Sequence, residues 1–142
     1  MHATSERFPL ANRVIVSKAE KALSCVEIDK QTAFVLITHN YEYDLCILKQ
    51  LIYQNVPYIG ILGPLKKLYC MLEQMKAVSF IINDDHKSKI FSPIGLDIGA
   101  ETPVEIALSI IAEIKTVLSA AKGKMLKDPV LLVLGAKSPF YA

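Results

Sequence analysis

Apolar residues along this chain fall into two patterns, short unbroken runs and longer stretches in which they recur every three or four positions. Ala33-Phe34-Val35-Leu36-Ile37-Thr38 is the strongest short run, followed by Tyr58-Ile59-Gly60-Ile61-Leu62 and Val130-Leu131-Leu132-Val133-Leu134, with Arg13–Ser17 a weaker one. Runs of this length that are apolar at nearly every position suit parallel strands covered on both faces. Pro57 and Gly63-Pro64 bound the second run, and Pro129 and Gly135 the last. Helical spacing fills the intervals. From Tyr41 to Gln54 it is carried by Leu45, Leu48, Leu51 and Ile52. After Pro64, which suits a first helical turn, it is carried by Leu65, Leu68, Leu72 and Met75. From Pro103 to about Ala121 the periodicity is clearest, opened by the capping box Thr102-Pro103-Val104-Glu105 and stopped at Gly123. Between 78 and 91, Phe80-Ile81-Ile82 reads as a strand, or Asn83-Asp84-Asp85-His86-Lys87 as a capped short helix. Strands alternating with helices predict right-handed crossovers and an α/β fold with a mostly parallel sheet flanked by helices.

Composition narrows the class. The chain has 142 residues, 52% hydrophobic and 21% charged, enough apolar material for one packed domain spanning 1–142, with room for a further strand in the tail 125–142. A net charge of +2, no Trp and no basic stripe interleaved with aromatics argue against nucleic acid. No apolar run approaches the roughly 20 residues that span a bilayer, and the first eight residues lack a signal-peptide core. Cys25, Cys46 and Cys70 are widely spaced and form no C-x-x-C pair, which points to a reducing cytoplasm and to cysteines buried as small hydrophobes.

Candidate chemistry gathers where strands end, the place ligands occupy in open parallel sheets. Thr38-His39-Asn40 follows the first strong strand, Asn40 is a natural N-cap, and Asp44 lies one turn into the helix. His39 at such a hinge can hydrogen-bond a ligand or shuttle a proton, or simply order the turn. Gly60, Gly63 and Pro64 surround the next strand end, with Lys66 and Lys67 after them. A tight turn into a helix N-terminus suits phosphate, although the two lysines also read as a solvated face. The third segment, Ser92 to Pro103, holds Gly95, Asp97, Gly99 and Glu101, residues that either meet a ligand or order the loop. No G-x-S-x-G, H-E-x-x-H or Cys/His pairing is present, so no catalytic nucleophile and no metal site is assigned. Asp84-Asp85-His86 reads as a solvated turn. These readings share one expectation: the His39 turn, the Gly63 turn and the 95–101 loop meet at a single rim and form one pocket.

The long run from Pro93 through Gly95-Leu96-Asp97-Ile98-Gly99-Ala100-Glu101-Thr102-Pro103 to Ile114 resembles the signature of the XdhC/CoxI family. Leu36-Ile37-Thr38-His39-Asn40 with Asp44 and Leu48, Tyr58-Ile59-Gly60-Ile61-Leu62-Gly63, and Arg7-Phe8-Pro9 with Ala11 are similar to further family segments in the same order, over about residues 7 to 118. The resemblance implies a three-layer Rossmann-like C-terminal domain. It implies a dedicated chaperone that matures molybdenum hydroxylases of the xanthine or carbon monoxide dehydrogenase type and binds molybdenum cofactor (molybdopterin). The target enzyme and a cysteine desulfurase are the implied partners. Thr38, His39, Asp44, Gly60, Gly63, Lys66, Lys67, Gly95, Asp97, Gly99 and Glu101 would then line the cofactor site.

The departures from that family set up alternatives. The family's N-terminal cysteine-bearing domain and the usual first glycine-rich βαβ unit are not in this sequence, and Pro64 stands where the family has serine. An NAD(P)-dependent oxidoreductase-like nucleotide-binding domain is permitted by the fold but lacks the G-x-G-x-x-G cradle. A shortened subunit that works only in a complex would expose a sheet edge, predicting a homodimer or partnership with a separate N-terminal subunit.

Overall fold

A computed structural model of the chain describes residues 3–126. Strand β1 (Ala33–Leu36) leads into helix α1 (Tyr41–Leu51), then β2 (Tyr58–Ile61), α2 (Leu65–Ala77), the single turn α3 (Asp84–Ser88), β3 (Ile90–Phe91) and α4 (Pro103–Leu118). The sheet is parallel throughout, in the order β1-β2-β3. Ala33 lies opposite Tyr58 and Leu36 opposite Ile61, and Ile59 pairs with Ile90. The ladder continues past β2, where the Leu62 N–H donates to the Leu36 carbonyl at 3.0 Å.

All four residues of β2 are buried, and they alternate between two cores as a period of two requires. Ile59 and Ile61 join Leu45, Leu48 and Leu51 of α1 and Met71 and Met75 of α2 on one face. Tyr58 turns to the other face, with Ile94 of the loop after β3 and Ile110 of α4. Helices therefore cover both faces, the three-layer Rossmann-like arrangement, and an unbroken apolar run is what such a central strand needs. Gly60 faces the α4 side, where a Cβ would collide with the Ile94 side chain, so it serves close packing inside β2.

Several expectations need correction. Arg13–Ser17 is not a strand. It forms no regular structure, is mostly exposed, and leads into a 3-10 helix, Ala19–Cys25, anchored on α1. There the Gln50 amide donates to the Ala19 carbonyl at 2.8 Å, and the Tyr43 hydroxyl donates to Ser17 O at 3.3 Å. Its β-branched residues favour a strand only where a partner edge accepts them. Phe80–Ile82 is likewise not a strand. The alternative holds, with Asn83 Oδ1 accepting from the His86 N–H at 2.8 Å to open α3. Pro64 sits just outside α2, at its N-cap. Helix α4 stops before Gly123: Ala120 takes a φ of 51°, and N–H groups of Ala120 and Ala121 close back onto the carbonyls of Val117 and Thr116. All three cysteines are free, but Cys25 and Cys70 are exposed and Cys46 is half-buried, so the buried reading fails. The strand expected at Val130–Leu134 lies outside the described residues. Among the described residues, no helix is long and apolar enough to cross a membrane.

Candidate functional site

At the carboxyl ends of β1 and β2 the chain turns into α1 and α2, and a buried carboxylate ties the two turns together. Asp44 is fully buried. Its Oδ1 accepts from the Thr38 hydroxyl at 2.6 Å, and its Oδ2 accepts from Lys67 Nζ at 2.7 Å. The Asn40 N–H donates to Thr38 Oγ1 at 3.1 Å, while Asn40 Oδ1 caps α1 by accepting from the Tyr43 N–H. Lys67 Nζ also lies 3.4 Å from the Leu62 carbonyl. Such a buried ion pair survives desolvation only with this kind of supplementary hydrogen bonding. The charge of Lys67 is thus engaged by Asp44, and the two residues expected to meet a ligand separately meet each other.

Gly63 makes that geometry accessible. Its φ of 132° disfavours side chains, and a Cβ there would stand 3.3 Å from the Lys67 stem. Lys66, one position earlier, is exposed. Pro64 offers no side-chain cap to α2, so the first backbone N–H groups of that helix, those of Leu65 and Lys66, lie at the rim beside the Lys66 ammonium, which has no ion-pair partner among the described residues. His39 is exposed and holds a φ of 57°. A left-handed conformation costs a non-glycine residue about 1 kcal/mol or more, and strain of this kind clusters at functional turns.

The third segment reaches the same rim from the other side. Helix α4 runs back along the sheet, so its N-terminus lies near the end of β2 and Glu113 near its start. Gly95, with φ of 101°, presses so closely on Ser109 that a Cβ would collide with the hydroxyl. Its N–H donates to Glu113 Oε1 at 3.0 Å, and the same oxygen accepts from the buried Tyr58 hydroxyl at 2.7 Å. Burial, and then the bond to Glu113, push the Tyr58 pKa upward. This clamp of β2, loop and α4 went unseen in the sequence. Its signal was a lone Glu113 between the core-facing positions Ile110 and Ile114. Beyond it, Asp97, Gly99 and Glu101 are exposed. The capping box holds the loop's end: Glu105 Oε2 accepts the N–H groups of Thr102 at 2.8 Å and Glu101 at 3.0 Å, and these bonds lower the Glu105 pKa.

A hollow of about 310 Å³ lies between Leu62 and this loop, walled by Leu96, Asp97, Ile98, Gly99 and Ser109. Leu62 therefore links the hollow to the Asp44 knot, and the three segments share one rim. They do not make one enclosed pocket. The His39 and Gly63 turns adjoin the hollow without lining it, Gly60 sits back within the sheet, and Lys66 stands outward. A larger hollow, about 390 Å³, lies at the opposite edge around Gln54, Asp85, His86 and Lys89. Two of its polar groups are engaged: Lys89 Nζ donates to the Gln54 carbonyl at 2.6 Å, and His86 Nδ1 accepts the Asn83 N–H. Burial lowers the Lys89 pKa. The carboxyl rim, where the α2 N-terminus has no side-chain cap and Lys66 has no ion-pair partner among the described residues, is the stronger candidate for a ligand site. Among the described residues, no group of three or more His, Cys, Asp or Glu could hold a metal ion.

Comparison with known proteins agrees with this architecture. The family model of the XdhC Rossmann domain matches residues 1–114. A Bacillus subtilis protein, named as a probable subunit of xanthine dehydrogenase, is 37% identical over 113 residues, which cover 80% of this chain and 32% of the relative. An uncharacterized Escherichia coli protein, YqeB, is 36% identical over 96 residues, 68% of this chain and 17% of its own. A crystal structure described as a xanthine dehydrogenase from Bacillus halodurans superposes with a TM-score of 0.69 at 29% identity, over 82% of this chain and 33% of that one. The chain thus spans about a third or less of the length of these relatives.

Proposed function

The chain belongs to the XdhC Rossmann-domain family, and from that premise we propose that it serves the maturation of molybdenum hydroxylases by holding the phosphate-bearing pterin of the molybdenum cofactor at the carboxyl rim of its sheet. Support for the premise comes from two similar proteins that carry xanthine dehydrogenase in their names.

The observation that carries the reading is the pairing of unlike chemistries on one rim. On the β2–α2 side stand uncapped helical N–H groups and the exposed ammonium of Lys66, which fit a terminal phosphate. On the loop side stand the carboxylates of Asp97 and Glu101, acceptors for the adjacent amino and ring N–H donors of a pterin. The hollow beneath the loop has apolar walls in Leu62, Leu96 and Ile98, which fit a flat ring. When bound, the cofactor brings its molybdenum and dithiolene chemistry. The residues of this chain bind and orient the group, and none is assigned to attack it. Asp44 and Thr38 act at one remove, fixing Lys67 and the two turns. His39, exposed in the adjacent turn and with no side-chain hydrogen bond among the described residues, adds a further donor on the phosphate side. A molybdenum hydroxylase receiving the cofactor, and a cysteine desulfurase supplying sulfur, are the partners this role calls for.

A thermal-shift series with purified molybdopterin, NADP and nucleoside triphosphates tests the proposal. Molybdopterin is expected to raise the melting temperature by several degrees and Lys66→Ala to remove most of that rise. A large shift with NADP and none with the pterin would replace this reading with that of a nucleotide-dependent oxidoreductase.

A further inference from the structure

Helix α4 buries one face against the sheet through Ile106, Ser109 and Ile110 and leaves the opposite face unusually apolar. Val104 is 80% exposed, Ile111 65% and Leu108 60%. A large apolar side chain on a solvated helix face is ordinary when single, but three in a row are not. The spacing is regular. Val104, Leu108, Ile111, Lys115 and Leu118 follow one another at intervals of four, three, four and three, the a/d seam of a helix that packs against another helix, and Glu101 lies just before the N-cap at Thr102. From Val104 to Leu118 the seam runs roughly 20 Å at about 1.5 Å per residue.

We propose that this seam is the contact between two copies of the chain, with the two α4 helices packed antiparallel across a two-fold axis. The choice of occupant rests on charge. The N-terminal end of the seam is acidic, with exposed Glu101 and Glu105, and the C-terminal end is basic, with exposed Lys115 and with Lys122 and Lys124 just beyond the helix. Neither Glu101 nor Lys115 has an ion-pair partner among the described residues. An antiparallel mate sets the acidic end of each helix against the basic end of the other, whereas a parallel one opposes like charges. Two-fold symmetry supplies that complementarity from a single surface. In the a-to-d register, Leu108 of each copy faces Ile111 of the other, Val104 meets the stem of Lys115, and Glu101 lies about one helical turn from that lysine, within reach of its ammonium. The sheet edge competes poorly for this role, since β1 offers only four residues. A seam of this length is a modest interface, expected to dissociate in the micromolar range.

Sedimentation velocity on the full chain between about 2 and 200 µM tests the assignment. A concentration-dependent dimer is expected. Leu108→Glu, at an exposed position that leaves the fold and its circular dichroism intact, is expected to weaken it at least tenfold. Glu101→Lys and Lys115→Glu should each weaken dimerisation, and the double charge swap should restore it. A monomer at every concentration would overturn the proposal and leave the stripe to another segment or partner. A dimer indifferent to Leu108→Glu, or singles and a double that merely add, would overturn it too.

Discussion

Asp44 and Lys67 show how a site residue acquires its role from its partner. Each alone reads as a polar side chain near a strand end. Together, at 2.7 Å with the carboxylate fully buried, they fasten the β1–α1 turn to the β2–α2 turn. The two ends of the pair are not equivalent. Lys67→Met strands a buried carboxylate with only the Thr38 hydroxyl as donor, and should cost about 3–5 kcal/mol. Adding Asp44→Asn in the same chain removes the uncompensated charge while keeping an acceptor for Thr38, and should recover more than half of that loss. Urea unfolding of the single and double variants decides this. Equal stability of the two would mean that the pair does not act as a unit.

Among the elements, those with long periodic patterns were legible from the sequence. The capping box of α4 is present in the structure as the sequence suggested, and α1, α2, β1 and β2 lie within a few residues of their apolar runs. Arg13–Ser17 and Phe80–Ile82 misled because strand identity belongs to a pair, and among the described residues no neighbouring strand takes them up. Ala120 could not be foreseen as a helix stop, since alanine in a left-handed turn runs against preference and is imposed by the closing hydrogen bonds. In the candidate site the rim was legible, because turns after strands are marked by His39, Gly63 and Gly95. Two things were not: the Asp44–Lys67 pair, joined across a crossover, and the Glu113 clamp, whose partners Gly95 and Tyr58 lie 18 and 55 residues away. The capping box carries its own pH signature. Hydrogen bonds to the Thr102 and Glu101 N–H groups hold the Glu105 pKa below its ordinary 4.5. A carboxylate with a lowered folded-state pKa contributes stability that is present above that ordinary value and lost as pH falls through the folded one. Thermal unfolding of wild type and Glu105→Gln should therefore differ at pH 7, and the gap should close as pH drops below about 4.5. A gap that stays constant to pH 3 would show that the charge contributes nothing.

On the scale of the molecule, two cores on opposite faces of β2 hold three turns at one edge. The helix side of that edge is cationic and donor-rich, and the loop side is acidic. The rigid parts are the Asp44 knot and the Glu113 clamp, and the open parts are Lys66, His39 and the 97–101 stretch between them. Under the proposed function, binding falls to the exposed groups and positioning to the buried ones. A titration of isotopically labelled protein with purified molybdopterin, followed through its backbone amide resonances, tests the division most directly. Shifts concentrated at residues 38–40, 63–66 and 95–101, with the amino-edge hollow around His86 and Lys89 silent, are the predicted result. Shifts centred on that opposite hollow, or no shifts at saturating ligand, would contradict the account.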